Sequence, residues 1–422
     1  LQRMQDLTHH LDPTRPCIYS ANCDFNNIAE NFVNNGFQID AFGANYTMRE
    51  NAEGQLTAEA ERYDEFKSKF PDCPLIASES GGSASTRGLY GQEYYKGQAL
   101  HPHPEAIGAD APVYLNPKRA GMVTAYAETL TPWGRSIEDT WEDCASRDFV
   151  AGTFLWTGLD YRGETYPCSW PAVITRCGLM DLCGFPKDSY YYYQAEWTDA
   201  PVLHLFPHWN LESEVGANID LWCYTNCAEV ELWLNGASQG RLKRAPYRKL
   251  QWDIPYAQGT LEAIGYDSAG QEIVRTVIET TGAAAKLRIT KAHSNTEADG
   301  STVAILNVCA CDTTGRMVPT ANNMLDFEID GAATLLGVGN GNPTSHEPEQ
   351  ASHRQLFNGY AQLIVRTLGQ SETVSIRAHA EKLESATHRI EVSKAISITQ
   401  SIGASTVQST DIKKLNPIDG SL

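Results

Sequence analysis

A chain of 422 residues is too long for one ordinary domain, so two to four are expected. Hydrophobic residues make up 42 % of it, enough for sizeable cores, yet no apolar run approaches the ~20 residues of a membrane-spanning helix. A net charge of −19 argues against nucleic acid and anionic membrane surfaces as partners.

Leu1 to Leu11 carries apolar residues at 1, 4, 7 and 11, a helical spacing that predicts one buried face. The chain opens inside that helix, without an initiator Met or a signal peptide, and so reads as part of a longer protein. Asp12-Pro13-Thr14-Arg15-Pro16 breaks the helix, and Cys17 to Ser20 predicts a short strand. Asn27 to Val33 predicts a second helix, ended by Asn34-Asn35-Gly36. Ile39 to Tyr46 predicts a strand with its polar groups at the far end. Thr57 to Phe70 predicts an amphipathic helix with Ala60, Tyr63, Phe66 and Phe70 on one side, stopped by Pro71.

Pro74 to Gly82 then brings a short apolar run to an abrupt carboxylate. Leu75, Ile76 and Ala77 suit a strand buried on both faces of a parallel sheet. Glu79 stands at its carboxyl end, where β/α barrels mount their reacting groups, and Gly81 and Gly82 let the backbone turn away from it. A long segment rich in Gly, Pro, Tyr and His follows, to about Trp133; its His101 and His103 read as exposed or structural. Ser136 to Ala145 predicts a helix capped by Ser136, and Val150 to Tyr161 another buried strand with a polar and aromatic end. This alternation predicts a parallel α/β layer of about four units over residues 1–200, half of an eightfold barrel. With two open edges such a half is not stable alone.

From about Pro201 the pattern changes to short alternating runs between turns such as Asn235-Gly236, which predicts a β-sandwich over 201–282. A second sandwich over 283–395 takes its strands from Lys286 to Lys291, Val303 to Cys311, Leu325 to Ile329, Ala361 to Arg366 and Val374 to Ala378. Both are expected to be structural, and Gly339 to Thr344 reads as a turn-rich loop. Residues 396–422 read as a tail. The 11 cysteines are odd in number and lack the paired spacing of a zinc site. They read as structural, with no metal expected and a lean towards a reducing compartment.

Several motifs, in one order along the chain, carry a family resemblance. Leu11-Asp12-Pro13-Thr14-Arg15-Pro16 and Gly43-Ala44-Asn45-Tyr46 come first, then Arg147 to Tyr161 with Gly163-Glu164. Gly184 to Asp188, Tyr190 to Tyr193, Trp197 and His204 to Trp209 follow, and Leu234-Asn235-Gly236 and Gly337 to Glu347 close the series. Together they resemble glycoside hydrolase family 2, the β-galactosidases and their relatives, over nearly everything up to about residue 395. The resemblance implies an α/β plus all-β fold: the second half of a (β/α)8 barrel followed by two immunoglobulin-like β-sandwich domains. It also implies a retaining glycosidase without a cofactor, acting through a covalent glycosyl intermediate. The abundant flat rings, nine Trp and 19 Tyr, suit sugar clefts as well as cores.

On that resemblance Glu79 matches the nucleophile at the end of the seventh barrel strand. It needs a partner carboxyl about 5–5.5 Å away to protonate the leaving oxygen and then activate water. Tyr46, closing the sixth strand, is expected to donate its hydroxyl to Glu79 and hold it ionised, with Asn45 beside it. Trp156 is expected to give an apolar floor for the sugar ring, and Asp160, Tyr161 and Glu164 polar groups for the substrate. No Asn-Glu pair matches the family's acid/base residue, which is therefore expected upstream of Leu1, on the N-terminal half of the same enzyme. The partners implied are a β-linked galactoside or oligosaccharide and that N-terminal half, with a homo-oligomer left open. The alternatives are a β-glucuronidase or other family 2 glycosidase, or a non-catalytic carbohydrate-binding fragment. A glucuronidase needs cations for the sugar carboxylate, typically an Asn-x-Lys that is missing between Trp156 and Trp197, although Arg162 keeps that reading open.

Overall fold

The structure is a computed structural model that describes residues 2–22, 25–36, 39–47, 59–90, 97–98, 121–131, 134–165, 168, 170–211, 214–294, 303–368 and 373–392. His101, His103 and the tail at 396–422 lie outside them.

Helix α1 (Gln2–Leu11) leads into strand β1 (Ile18–Asn22), followed by α2 (Phe25–Asn34), β2 (Ala41–Asn45), α3 (Glu59–Lys69) and β3 (Leu75–Gly81). The short strands β4 (Ser83–Ala84), β5 (Gly97–Gln98) and β6 (Thr129–Leu130) form a small sheet of their own. Then come α4 (Ile137–Ala145), β7 (Val150–Trp156) and α5 (Asp188–Trp197). Strands β1, β2, β3 and β7 lie side by side in that order, all parallel. Close packing of this sheet needs Gly43, where a Cβ would fall 2.5 Å from Ser20 Oγ and 2.8 Å from Ser78 Cβ. Tyr63 and Phe66, one turn apart on α3, bury against Phe42 and Leu75, with the Phe42 and Phe66 rings 5.5 Å apart. Ser136 caps α4 as expected, its hydroxyl accepting from the Asp139 N–H at 3.1 Å.

Two expectations fail here for one reason. The apolar residues of α1 are not buried: Met4 is 68 % and Leu11 75 % exposed. Strand β7 is not covered on both faces either, since Phe154 is 60 % exposed. Both elements are amphipathic, but periodicity shows only which face needs cover. Among the described residues nothing packs on those faces, and β1 and β7 are the two edges of the sheet.

The next strands are β8 (Leu203–Phe206), β9 (Asn218–Thr225), β10 (Glu229–Leu234), β11 (Ala237–Lys243), β12 (Leu250–Pro255), β13 (Thr260–Tyr266) and β14 (Glu272–Glu279). They form two antiparallel sheets, β12-β9-β8 and β11-β10-β13-β14, over a core of Trp209, Leu221, Leu232, Trp252 and Leu261. Asn235 and Gly236 turn β10 into β11 with φ of 50° and 80°, the left-handed pair that a tight hairpin requires. An aromatic cluster of Tyr126, Tyr192, Phe206, Trp222 and Tyr224 joins this sandwich to the parallel layer. Its rim is held by Arg248 to Asp139 and Lys249 to Glu138.

The last strands are β15 (Lys286–Ser294), β16 (Val303–Cys311), β17 (Met324–Asp330), β18 (Ala333–Gly339), β19 (His353–Gln355), β20 (Tyr360–Thr367), β21 (Thr373–Ala380) and β22 (Leu383–Glu391). Their order is β18-β20-β16-β15-β22-β21-β17-β19, the two halves meeting where β15 touches β22 in parallel at Lys286 and Glu384. Leu306, Val308, Leu325, Leu363 and Ile376 fill the core between the halves. Strands β18, β19 and β22 escaped the sequence reading. The glycines and exposed positions of 333–339 mask the alternation of β18, and β22 is mostly solvent-facing. The ten described cysteines are all free.

Candidate active site

Each strand of the parallel sheet ends in a residue that lines one cleft of about 620 Å³ at its carboxyl edge. Asn22 closes β1, Asn45 closes β2, Glu79 stands two residues from the end of β3, and Trp156 closes β7. Parallel pairing aligns them, with Asn45 opposite Glu79 and Gly81 opposite Trp156. Tyr46, Gly82, Thr131, Glu164, Thr175 and Cys177 complete the lining. Gly81 and Gly82 have φ of 105° and 84°, so the backbone does leave Glu79 through a left-handed turn. At Gly82 a Cβ would come within 2.5 Å of Thr131 Oγ1.

The Glu79 carboxylate is half-buried and accepts a hydrogen bond from Asn45 Nδ2 at 3.0 Å. Burial raises its pKa above the ordinary carboxylate value. The Asn45 bond opposes that rise, and the negative charge of Glu164 adds to it. Tyr46 does not play the part expected of it. Its buried hydroxyl has no hydrogen-bond partner among the described residues, and its link to Glu79 is instead from its backbone N–H to the Glu79 carbonyl, at 3.0 Å. The Tyr46 side chain lines the same cleft, where burial and then the charge of Glu79 raise its pKa. Asn45 makes the side-chain hydrogen bond to Glu79 that was expected of Tyr46.

Trp156 is 36 % exposed and meets Tyr161 edge-on, ring centroids 5.6 Å apart, leaving an indole surface open to the cleft. Tyr161 donates its hydroxyl to Glu164, which projects from a backbone with φ of 43°. Asp160 needs correction as a substrate contact. It is 4 % exposed, and its Oδ1 accepts from both Lys187 Nζ and the Gly178 N–H at 2.8 Å, so that oxygen is committed inside the protein. Lys187 also donates to the carbonyls of Ser85 and Arg176, fixing the segment that follows β7. The sequence reading missed Asn22, Thr131, Thr175 and Cys177. Asn22 was within reach of the strand-end rule, had the strand been carried past Ser20. The other three sit on loops whose return to the cleft leaves no periodic signal. Burial raises the Cys177 pKa, which keeps that thiol neutral.

The glycoside hydrolase family 2 C-terminal domain 5 matches residues 287–389, and a domain of unknown function (DUF4982) matches 216–274. Over 90 % of its length the chain is 34 % identical to the beta-galactosidase BoGH2A of Bacteroides ovatus, of which it covers 42 %. Residues 287–389 thus match a family 2 C-terminal domain, and the chain as a whole is similar to glycoside hydrolase family 2 enzymes. A beta-glycosidase from Bacteroides vulgatus has the same fold at a TM-score of 0.76 and 26 % identity, over 92 % of this chain and 48 % of that one. The chain is also 33 % identical, over 72 % of its length, to a putative beta-glucuronidase from Formosa agariphila, of which it covers 31 %. It thus spans less than half the length of these relatives.

Proposed function

We propose that this chain is the C-terminal part of a retaining exo-β-glycosidase, a β-galactosidase, with Glu79 as its nucleophile. The observation that carries the reading is the convergence of four parallel strand ends on one cleft, with a half-buried, hydrogen-bonded carboxylate beside an open indole face. On this reading the sheet β1-β2-β3-β7 is the second half of an eightfold barrel, over 1–200. Its open edges and the bare faces of α1 and β7 are where the first half seats. The sandwiches at 201–282 and 283–395 are immunoglobulin-like domains. The acid/base carboxyl comes from the N-terminal half, about 5–5.5 Å from Glu79.

In the reaction, Glu79 attacks the anomeric carbon as the acid/base group protonates the departing glycosidic oxygen. The same group then takes a proton from water, which releases the sugar with its configuration retained. Asn45 orients the attacking oxygen, Trp156 receives the C–H face of the ring, and Asn22 and Glu164 are placed to meet its hydroxyls. Tyr161 acts through Glu164, and Asp160 through the segment it anchors.

A β-glucuronidase is the second reading, because several relatives carry that name. It asks for a cation facing the sugar carboxylate. The described residues that line the cleft include no Lys or Arg, and Arg162 pairs with Glu349 on the other side of its segment. That supports a neutral sugar.

In the full-length enzyme Glu79→Gln should nearly abolish turnover of an aryl β-galactoside while leaving binding largely intact. A 2-fluoro galactoside with a good leaving group should trap a covalent adduct on the peptide holding Glu79. An adduct on another carboxylate, or inversion at the anomeric centre, would overturn the assignment, and a preference for the aryl glucuronide would overturn the sugar.

A further inference from the structure

The segment after β7 returns on itself as a two-stranded ribbon. Gly163 N–H donates to the Val173 carbonyl at 3.0 Å, Thr175 N–H to the Tyr161 carbonyl at 2.9 Å, and Arg162 lies directly opposite Ile174. Side chains along such a ribbon alternate between its faces. Thr175 lines the cleft of Glu79, whereas its neighbour Ile174, with Arg162 opposite, lines a second cleft on the other face. Glu164, past the last bond of the ribbon, reaches the first cleft from a left-handed backbone with φ of 43°. That second cleft holds about 330 Å³, within the range of small-molecule sites. Its other wall is the edge of the last sandwich.

The second cleft is a built site rather than a surface dent. Its lining sets the amides of Asn340, Asn342, Gln350 and Gln362 among glycines and apolar side chains such as Leu336 and Ile364, with Gln362 Nε2 already donating to the Cys183 carbonyl and Asn340 Nδ2 to that of Gln355. Arg354 also lines it, with its side chain only 3 % exposed. The guanidinium donates to the carbonyls of Val338 and Pro348, to Ser345 and to the Glu347 carboxylate, but its buried Nε has no hydrogen-bond partner among the described residues. A buried donor left open calls for an acceptor oxygen. Arg162 and Glu349 pair across the cleft from its two walls and are both half exposed.

The cleft is also longer than one sugar. Past Leu336 and Gln350 it runs into a shallower groove of about 440 Å³ over Thr334, Leu335, Ala351 and Ser352. Strand addition by a peptide is the other use of a sheet edge. Here the edge is partly taken, because the Val338 N–H already donates to the Glu349 carbonyl at 2.8 Å.

We propose that this groove, from Arg162 and Arg354 to Ser352, is a second saccharide site that holds a neutral linear oligosaccharide distal to the unit at Glu79. The proposal rests on the glycosidase reading only for its link to turnover. Binding itself is independent of that reading, since no residue lines both clefts. The shared ribbon lets one glycan engage both faces.

The test uses full-length protein, a galactose-terminated tetrasaccharide and an aryl β-galactoside. Leu336→Trp fills the groove, and Gln350→Ala, at an exposed position, guards against misfolding by the larger change. Calorimetry in a Glu79→Gln background should show one tetrasaccharide per chain, bound at least threefold more weakly when Leu336→Trp is added. KM for the tetrasaccharide should rise at least threefold in both variants, with kcat and the aryl substrate's KM unchanged. If no β-glycoside is turned over at all, the glycosidase reading fails while the calorimetric affinity still decides this site. Unchanged affinity on adding Leu336→Trp, or an equal rise in KM for both substrates, would overturn the proposal. So would competition for the groove by an unrelated extended peptide in place of the glycan.

Discussion

Arg87→Met tests how the last sandwich holds the segment that forms the active cleft. Arg87 Nε donates to Asp181 Oδ2 at 2.7 Å, with side chains 10 % and 1 % exposed. The same guanidinium donates to the carbonyls of Asn340, Phe357 and Asn358 and lies 5.0 Å from the Phe185 ring. Removing one partner of a buried pair costs about 3–5 kcal/mol, because the other charge stays buried. Asp181 Oδ1 still accepts from the N–H groups of Cys183 and Phe185, so the lower end, about 3 kcal/mol, applies. At about 1.4 kcal/mol per factor of ten, that is roughly a hundredfold in local opening. Amide hydrogen exchange on the full-length protein reads it directly. Protection should fall about a hundredfold in 181–185 and 338–345, while the core of the first sandwich at Leu221 and Leu232 stays unchanged. The double variant with Asp181→Asn should lose less than the two single losses added, since the stranded charge is gone. Unchanged protection in the two loops, a uniform fall along the whole chain, or strict additivity would refute the reasoning.

Asn45→Ala removes the hydrogen bond that favours ionised Glu79, so its pKa rises and the acid limb of kcat/KM should move to higher pH. Tyr46→Phe should move it less; an equal shift would show that the hydroxyl, and not Asn45, supports the carboxylate. Glu164→Gln removes a negative charge that opposes ionisation of Glu79, so the acid limb should move to lower pH, and a shift the other way would contradict the geometry. Gly341→Ala sets a Cβ 1.9 Å from Asp181 Oδ2 at a φ of 74° and should lower thermal stability by about 2 kcal/mol, measured by the unfolding midpoint.

The order of elements was legible because each carries its own period. Tyr63 and Phe66 a turn apart gave α3, and Leu75 to Ala77 gave a strand with Glu79 at its end. What periodicity lacks is the partner. Met4 and Leu11 on α1, and Phe154 on β7, read as buried and stand exposed, although their apolar character is as plain as that of Phe66. A single chain's pattern names a face that needs cover and leaves open which chain or segment covers it. For the same reason the ends of β2, β3 and β7 are legible as site positions while Thr131, Thr175 and Cys177 are not.

The roles within the site show a second limit. Asp160, Arg162 and Glu164 all looked like polar groups past a strand, and one-dimensional spacing ranks them alike. Strand alternation would put all three on one side, so it is their contacts and the left-handed backbone at Glu164 that sort them. Asp160 turns inward to Lys187, Arg162 faces the second cleft with Glu349, and Glu164 faces Glu79. The sorting depends on residues far along the chain, because Val173 is held by the Pro343 carbonyl at 3.0 Å and Asp181 by Arg87. The Gly339 to Thr344 loop thus fixes the back of the ribbon whose front lines the active cleft. A sandwich expected to be structural therefore also braces the segment that lines the active cleft. Loosening it should disturb Glu164 and Thr175 before it disturbs Glu79, which is anchored on the sheet through Asn45.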